Sequence, residues 1–200
     1  ANSNPHLFNA SVIYQLPFGS GRKFLNNSGV MSRVAGGWQV NAFLTARSGT
    51  PFTVTASNAS LNAGTGTNQT ADQIKDVVDI NGFSNGGAYF DVTAFRPVTE
   101  VRFGTAGYNI LRGPAVANLD LSLFRTFAIK RNMNLQIRIE ALNATNTPHF
   151  SNPASNVANL QLNPDGSVRN LDGFGVITTT NRLGRQYDER EFRLGMRLSF

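Results

Sequence analysis

The sequence predicts an all-β fold of antiparallel strands, each with one apolar and one polar face. The last nine residues show the pattern most clearly, because Phe192, Leu194, Met196, Leu198 and Phe200 alternate with Arg, Gly, Arg and Ser. A period of two is typical of a β-strand. Gly, Asn, Ser and Thr are plentiful, and long runs of Ala, Glu and Lys are missing. Short and long connections also alternate between the predicted strands.

Composition narrows the class of protein further. Two hundred residues suggest about one domain. The net charge of +6 comes mostly from arginines that are scattered singly along the chain, whereas a nucleic-acid partner needs a basic stripe or patch. The absence of cysteine excludes a disulfide framework and a thiolate metal site. No run approaches the roughly 18 apolar residues of a transmembrane helix. The start at Ala1 lacks an initiator Met and a signal peptide, so we expect a C-terminal piece of a longer protein.

The first two predicted strands cover about residues 6–16 and 37–55. Apolar and polar residues alternate in both, from Phe8 to Leu16 and from Trp38 onward. Pro17 ends the first strand, and the turn residues that follow it belong to a connection over 17–36. The segment Gly49-Thr50-Pro51 bends the second strand, after which Phe52, Val54 and Ala56 continue on the same parity.

The remaining predicted strands cover about residues 117–129, 133–143 and 187–200. A tight turn at 130–132 joins the first two, and the alternation breaks at Phe124-Arg125. Long connections occupy 57–116 and 144–186. Within the second, Asn163-Pro164-Asp165-Gly166 predicts a small hairpin, and Phe174–Thr180 predicts a short strand.

The connection lengths favour a transmembrane β-barrel over a soluble sandwich. Bacterial outer-membrane barrels have short periplasmic turns and long extracellular loops. If Phe200 ends on the periplasmic side, the connections 57–116 and 144–186 are both extracellular and 130–132 is a periplasmic turn. The apolar residues then contact lipid and the polar ones face the lumen. In a soluble β-sandwich, which stays an alternative, the same apolar residues form a core.

Four stretches, in a fixed order along nearly the whole chain, carry a family resemblance. They are Leu16–Phe24; Gly36–Val40 with Ser48–Val54; Leu111–Pro114 with Asn118–Phe124; and Leu135–Glu140 with Leu142-Asn143, Phe174-Gly175, Arg185-Gln186 and the closing strand. With these motifs the chain resembles the C-terminal barrel portion of TonB-dependent outer-membrane transporters of the Oar-like kind, which bear a carboxypeptidase-regulatory domain.

The resemblance implies a fold and a function. It implies that these residues are about the last five strands of a barrel of ~22 strands with a plugged lumen. The plug and the segment that contacts TonB lie outside residues 1–200. The implied function is active uptake of an unidentified extracellular substrate in the Gram-negative outer membrane, with a periplasmic C-terminus. The implied partners are outer-membrane lipid, the barrel-assembly machinery and the TonB complex, and no nucleic acid.

Site residues follow from the predicted faces and from the resemblance. The candidates for the lumen face are Arg138, Glu140, Arg193 and Arg197. Trp38 is predicted as an interfacial aromatic residue, since Trp is enriched where a barrel meets the membrane surface. The resemblance implies that Phe192, Leu194, Met196, Leu198 and Phe200 face lipid and form the terminal signal that the barrel-assembly machinery recognises.

The sequence predicts no catalytic, cofactor or metal site. His6 and His149 have no nucleophile or orienting carboxylate placed beside them. Asp72, Asp76 and Asp79 carry ligands for a hard cation but lack the EF-hand spacing. The Gly64–Gly66 stretch lacks the features of a phosphate-binding loop. The alternatives to a transporter are an outer-membrane adhesin or scaffold barrel without transport, and a soluble β-sandwich binding module.

Overall fold

A computed structural model describes residues 5–27, 29–62, 68–76, 87–183, 185–186 and 188–200. The chain divides into two compact units. The first, here called the sheet unit, consists of His6–Arg47, Val116–Pro148 and Arg182–Phe200. The second, here called the loop unit, consists chiefly of Ser48–Ala115 and His149–Asn181. The loop unit is therefore built from the two long connections between strands of the sheet unit.

Strands are the main regular elements of the described residues. In chain order they are β1 (Leu7–Gln15), β2 (Trp38–Arg47), β3 (Pro51–Phe52), β4 (Thr55–Ser57), β5 (Asn68–Thr70), β6 (Asp72–Gln73), β7 (Phe95–Arg96), β8 (Leu111–Arg112), β9 (Val116–Lys130), β10 (Met133–Leu142), β11 (Gln161–Leu162), β12 (Val168–Asn170) and β13 (Glu191–Ser199). One α-helix, α1 (Val30–Ala35), and three short 3-10 helices at Ala59–Leu61, Val92–Ala94 and Val157–Asn159 complete the described elements. None of the described helices has the length and apolarity that a membrane-spanning helix needs.

The sheet unit contains one antiparallel sheet in the order β1-β2-β9-β10-β13. Its register aligns the alternating residues of all five strands into rows across the sheet. One such row is Tyr14, Val40, Leu123, Ile139 and Leu194. The next row, on the opposite face, is Ile13, Asn41, Ser122, Glu140 and Arg193. The sheet therefore has one apolar and one largely polar face, and in the described residues it stays open between β1 and β13.

The two kinds of connection leave opposite ends of this sheet. Residues 16–37 join β1 to β2, and Arg131-Asn132 joins β9 to β10. Because neighbouring strands are antiparallel, these two connections lie at one end, here called the short-turn end. The connections that supply the loop unit leave from the opposite end, after β2 and after β10.

Two glycines allow the backbone of the connection 16–37 to pack closely against itself at the short-turn end. A Cβ on Gly36 would lie 2.6 Å from Ser32 O and 2.8 Å from the Cα of Gly19. A side chain at either glycine would therefore push the backbone segments apart. The Gly36 N–H donates to Ser32 O over 3.0 Å and ends α1 at this contact. Phe18 and Phe24 form a bridge that tightens the turn before the helix.

The loop unit has its own hydrophobic core. Four two-stranded pairs, β3–β8, β4–β5, β6–β7 and β11–β12, surround it. Phe90 is fully buried and packs edge-to-face against Phe95 and Phe174, with ring centroids 5.8 and 5.5 Å apart. The whole described core cluster belongs to this unit: Phe52, Val54, Ala56, Ala71, Tyr89, Phe90, Val92, Ala94, Phe95, Val98, Ala106, Leu111, Val157, Leu160 and Phe174.

Two sequence predictions differ from the structure, those for 37–55 and for Phe174–Thr180. Strand 37–55 was predicted too long, because β2 ends at Arg47 and the next residues enter the loop unit. Phe52, Val54 and Ala56 bury their side chains there. The break in alternation at Phe124-Arg125 does not interrupt the predicted strand, since β9 runs from Val116 to Lys130 and carries Arg125 on the same face as Leu123. Phe174–Thr180 forms no regular strand and contributes only an isolated bridge from Thr180 to Phe150.

The other predicted elements have counterparts in the structure. The ranges 6–16, 117–129, 133–143 and 187–200 overlap β1, β9, β10 and β13. The hairpin predicted around Asn163–Gly166 corresponds to β11 and β12, which pair across a turn. The predicted loops 57–116 and 144–186 differ from simple loops, because most of their described length packs into the loop unit.

Candidate functional site

The apolar face of the sheet is exposed. β13 places Phe192, Leu194, Met196 and Leu198 on this face, with 66%, 82%, 80% and 50% of their surface accessible. Phe200 follows the strand and is 94% exposed. Contiguous apolar surface of this extent on a soluble monomer is unusual and marks a contact with another protein or with lipid.

The polar face carries a cluster of charges on β10 and β13. Arg138 Nη1 lies 3.5 Å from Glu140 Oε1, and Arg193 Nε lies 2.7 Å from Glu191 Oε1. Glu140 and Arg193 are opposite each other in the register, so the two pairs are neighbours across the strands. We call Arg138, Glu140, Glu191 and Arg193 the charged cluster.

Arg197 lies on the same face, nearer the short-turn end, opposite Gln136. The structure therefore places all four sequence candidates, Arg138, Glu140, Arg193 and Arg197, on one face. It brings three of them together in the charged cluster.

Trp38 lies on the apolar face at the short-turn end of β2. Its indole Nε1–H donates to Val34 O over 3.0 Å, which joins β2 to α1. Arg125 Nη1 donates to the same carbonyl over 2.6 Å. The Arg125 guanidinium also lies 4.2 Å from the centroid of Phe127 and 6.0 Å from the indole of Trp38. An indole and a cation at the edge of an apolar surface are typical of a membrane interface.

A buried Asn143 organises the other end of the sheet. Its backbone N–H donates to Asp120 Oδ1 over 2.8 Å. Its side-chain amide donates to Thr147 O over 2.9 Å and to Asp188 O over 2.7 Å. Asn143 has a φ of 48°, a conformation that Asn tolerates better than most residues. This one side chain therefore ties the exit of β10 to the residues that precede β13.

The loop unit exposes apolar side chains on a segment whose backbone is hydrogen-bonded to the rest of the unit. Val101, Phe103 and Tyr108 are 87%, 75% and 80% exposed. Between them, the Gly104 N–H donates to Gln69 Oε1 and the Ala106 N–H donates to Ala71 O. We call residues 101–110 the presented segment.

An ion-pair cluster anchors the same segment. Arg102 contacts both carboxylate oxygens of Asp72, at 2.6 and 2.8 Å, and also Glu100 at 2.6 Å. The hydrogen bond from Arg102 holds the pKa of Asp72 below its usual value, against the opposing effect of burial. The same bonds to Asp72 and then Glu100 raise the pKa of Arg102.

The aspartates that the sequence analysis weighed as cation ligands, without predicting a site, differ in their surroundings. Asp72 binds Arg102, while Asp76 is exposed, and Asp79 lies outside the described residues, as does the Gly64–Gly66 stretch. No group of three or more His, Asp and Glu side chains within the described ranges is arranged to hold a metal ion. His149 is 1% exposed and belongs to the loop unit, and His6 is exposed at the start of the sheet unit.

Comparison with known proteins decides the class of protein. A family model described as an outer membrane beta barrel domain matches residues 1–188. This chain belongs to that family. No curated protein and no solved structure matches the chain. Membership places the protein in the outer membrane, and it accounts for an antiparallel sheet that leaves its apolar face exposed.

Two residues of this outer-membrane barrel domain were not singled out by the sequence analysis. Arg125 was noticed only as a break in the alternation, although a cation at the end of an apolar series is a signal for an interface. Asn143 was noticed only within a motif. A lone Asn after a strand indicates a turn, but nothing in the sequence indicates contacts with residues 120 and 188.

Proposed function

We propose that this chain forms wall strands and extracellular loops of a TonB-dependent outer-membrane receptor that takes up a substrate actively. Family membership supports the outer-membrane barrel, and the ordered motifs of the Oar-like resemblance support the transporter class. The architecture agrees with this class, because both long connections leave the same end of the sheet. In the proposed protein, β1 and β13 pair with further strands of a barrel of ~22 strands.

The two faces of the sheet have different roles in this proposal. The apolar rows, including Leu194 and Met196, contact lipid. The charged cluster and Arg197 line the lumen, where a wet or plugged interior solvates them. Trp38 lies at the membrane interface. With Phe200 at the periplasmic side, the terminal residues also serve as the signal for the barrel-assembly machinery.

The loop unit is the proposed ligand-facing part. The observation that carries this step is that the unit has a core of its own and still leaves Val101, Phe103 and Tyr108 exposed. Aromatic side chains held on a fixed backbone lose little conformational entropy when they bind a ligand. We propose a binding and transport role without catalysis and without a cofactor.

Uptake measured with and without TonB tests the proposal on the complete protein. Phe103→Ala with Tyr108→Ala is expected to reduce both surface binding and uptake, since binding hot spots are enriched in Tyr and other large anchors. Ile74→Ala is the matched control, because Ile74 is also exposed in the loop unit but lies outside the presented segment. Uptake that requires TonB supports the transporter.

Two other results would replace the proposal. Surface binding without TonB-dependent uptake would favour an adhesin or scaffold barrel, for which the exposed Phe103 and Tyr108 are equally suited. A soluble, monomeric protein whose gel migration does not change on heating in detergent would favour a β-sandwich. Heat-modifiable migration is expected for a membrane barrel.

A further inference from the structure

A cavity of about 520 Å³ lies at the short-turn end of the sheet unit. The connection before α1, the helix itself and β9 line it and leave it open to one side, and Arg22, Arg33 and Arg125 are among the lining residues. We call this the rim cavity. Its backbone frame is held by the close approach of Gly19 and Gly36, both of which line it.

The rim cavity lies in a part of the chain without acidic side chains. Residues 1–71 contain no Asp or Glu, and neither do residues 121–139. The described lining residues are accordingly basic, polar or apolar. Lys23, Lys130 and Arg131 add positive charge at the same end of the sheet. The charge therefore suits an anion, and it is not neutralised by carboxylates of the same region.

The arginines keep donors for a ligand. Arg22 donates through Nη2 to Gln15 Oε1 over 2.7 Å, and Arg125 donates through Nη1 to Val34 O over 2.6 Å. A guanidinium has five N–H donors in a planar fork that matches phosphate oxygens. These contacts orient the two side chains and leave most of their donors for an anionic group.

Apolar surface beside the rim cavity indicates the source of that group. On α1, Val30, Met31 and Val34 are 76%, 68% and 62% exposed. The helix is joined to Trp38, whose indole lies at the end of the apolar sheet face. A short helix with apolar side chains outward and a neighbouring cation is typical of a segment that lies in the membrane interface. A free phosphate ion has no apolar part that could contact this surface, whereas a lipid has acyl chains.

We propose that the rim cavity binds the anionic headgroup of a glycerophospholipid, with the acyl chains against α1 and the apolar sheet face. The phosphodiester lies between Arg22, Arg33 and Arg125. This inference rests on membrane insertion, which follows from the family, and not on TonB-dependent transport. The leaflet that contains the lipid is the one at the short-turn end.

Lipid retention by the complete protein tests the site. The protein is reconstituted in nanodiscs of phosphatidylcholine with phosphatidylglycerol, released into detergent, and analysed by native mass spectrometry. Arg22→Gln with Arg33→Gln is expected to weaken phosphatidylglycerol retention by about tenfold or more, since each basic residue near a membrane surface contributes on the order of 1 kcal/mol. Lys130→Gln with Arg131→Gln is the matched control, because it removes the same charge from the same end of the sheet outside the cavity lining.

Each outcome decides which anionic group the rim cavity binds. Retention of phosphatidylglycerol that only the cavity variant weakens supports the site, as does weaker retention in Val30→Ser with Met31→Ser. Equal loss in both charge variants would overturn it in favour of diffuse attraction. Displacement of the lipid by excess inorganic phosphate would overturn the lipid site and assign the cavity to a free anion. Retention of phosphatidylcholine as strong as that of phosphatidylglycerol would overturn recognition of an anionic headgroup.

The same samples separate this inference from the proposed function. If the wild-type protein retains no phosphatidylglycerol specifically while its TonB-dependent uptake is normal, the lipid site alone is overturned. Normal lipid retention in a protein whose uptake is independent of TonB would overturn the transporter alone. Heat-modifiable migration of every variant shows that the barrel has folded before either result is read.

Discussion

The loop unit buries its apolar side chains in a core of its own, whereas the sheet unit leaves many of them exposed on one face. In the loop unit, Phe90 and Phe174 have no exposed surface and pack edge-to-face. In the sheet unit, Leu194 and Met196 leave about four-fifths of their surface exposed, at 82% and 80%. One region excludes water with its own residues, and the other depends on a surrounding apolar medium. The same chain therefore contains a water-type core and a membrane-type surface.

The largest expected effect comes from breaking the core of the loop unit. Phe90→Ala removes a fully buried ring that contacts Phe52, Phe95 and Phe174, and the expected loss is about 3–5 kcal/mol of unfolding free energy. Hydrogen exchange should then show lost protection in residues 48–62 and 149–181, while β9 and β10 keep theirs. Phe103→Ala, which truncates an exposed ring, is the control and should change stability little. Equal loss of protection in the sheet strands would contradict a core of the loop unit that is independent of the sheet unit.

The next effect tests the membrane-type surface. Leu194→Arg puts a charge in the middle of the apolar face and is expected to cost about 2–4 kcal/mol if that residue lies near the bilayer midplane. Leu198→Arg, nearer the short-turn end, should cost less. Folding yield and urea unfolding in lipid vesicles measure both. Arg197→Ser, on the polar face of the same strand, is the control, and a cost equal to that of Leu194→Arg would show that the faces are assigned wrongly.

A third prediction concerns pH and the anchor of the presented segment. The pKa of Asp72 in the folded protein is lower than its ordinary value of 3.8. The stabilisation is therefore complete above that value and is lost as the pH falls through the lower folded pKa. Asp72→Asn should lower the unfolding free energy of the loop unit by about 1–3 kcal/mol at neutral pH, since it breaks charge-assisted hydrogen bonds.

The difference between this variant and the wild type should shrink as the pH falls below 3.8. Proteolysis of the loop unit across this pH range is the measurement. Glu100→Gln is the control, because Glu100 is 71% exposed and contacts the same Arg102, so its loss should matter little. A difference that stays constant with pH would mean that Asp72 acts through shape and not through charge.

The smallest expected effect lies in the charged cluster. Glu140→Gln should change the unfolding free energy by less than about 1 kcal/mol, because its partner Arg138 is 49% exposed and well solvated. If the cluster lines the transport path, Glu140→Gln should lower the rate of uptake although it leaves the unfolding free energy nearly unchanged. Ser122→Ala, an uncharged neighbour in the same row of the sheet, provides the comparison. Unchanged uptake in both variants would leave the cluster with solvation of the inner wall only.

The strands of the sheet unit were predictable because alternation is a local signal. A residue in a strand has the same face as the residues two positions away, so Phe192 to Leu198 show their common face without any knowledge of their neighbours. The grouping of Arg138, Glu140, Arg193 and Arg197 on one face followed from the same rule. The position of Trp38 at the end of β2 also followed, since the strand begins with it.

The loop unit was not predictable in the same way. Phe52, Val54 and Ala56 keep the parity of β2, so the sequence pattern continues where the sheet has already ended. Their burial depends on residues such as Phe174, more than a hundred positions later. Arg125 was not singled out for a related reason, because its aromatic and carbonyl partners come from β2, β9 and α1 together.

Alternation with a period of two predicted the strands of the sheet unit and their apolar and polar faces, and the ordered motifs predicted an outer-membrane barrel, which the family match confirms. Only the folded chain shows which residues meet: both long connections contribute to one core, and three arginines are among the residues that line the rim cavity. The physical reason is that alternation acts between residues two apart, whereas packing acts between residues that only folding brings together.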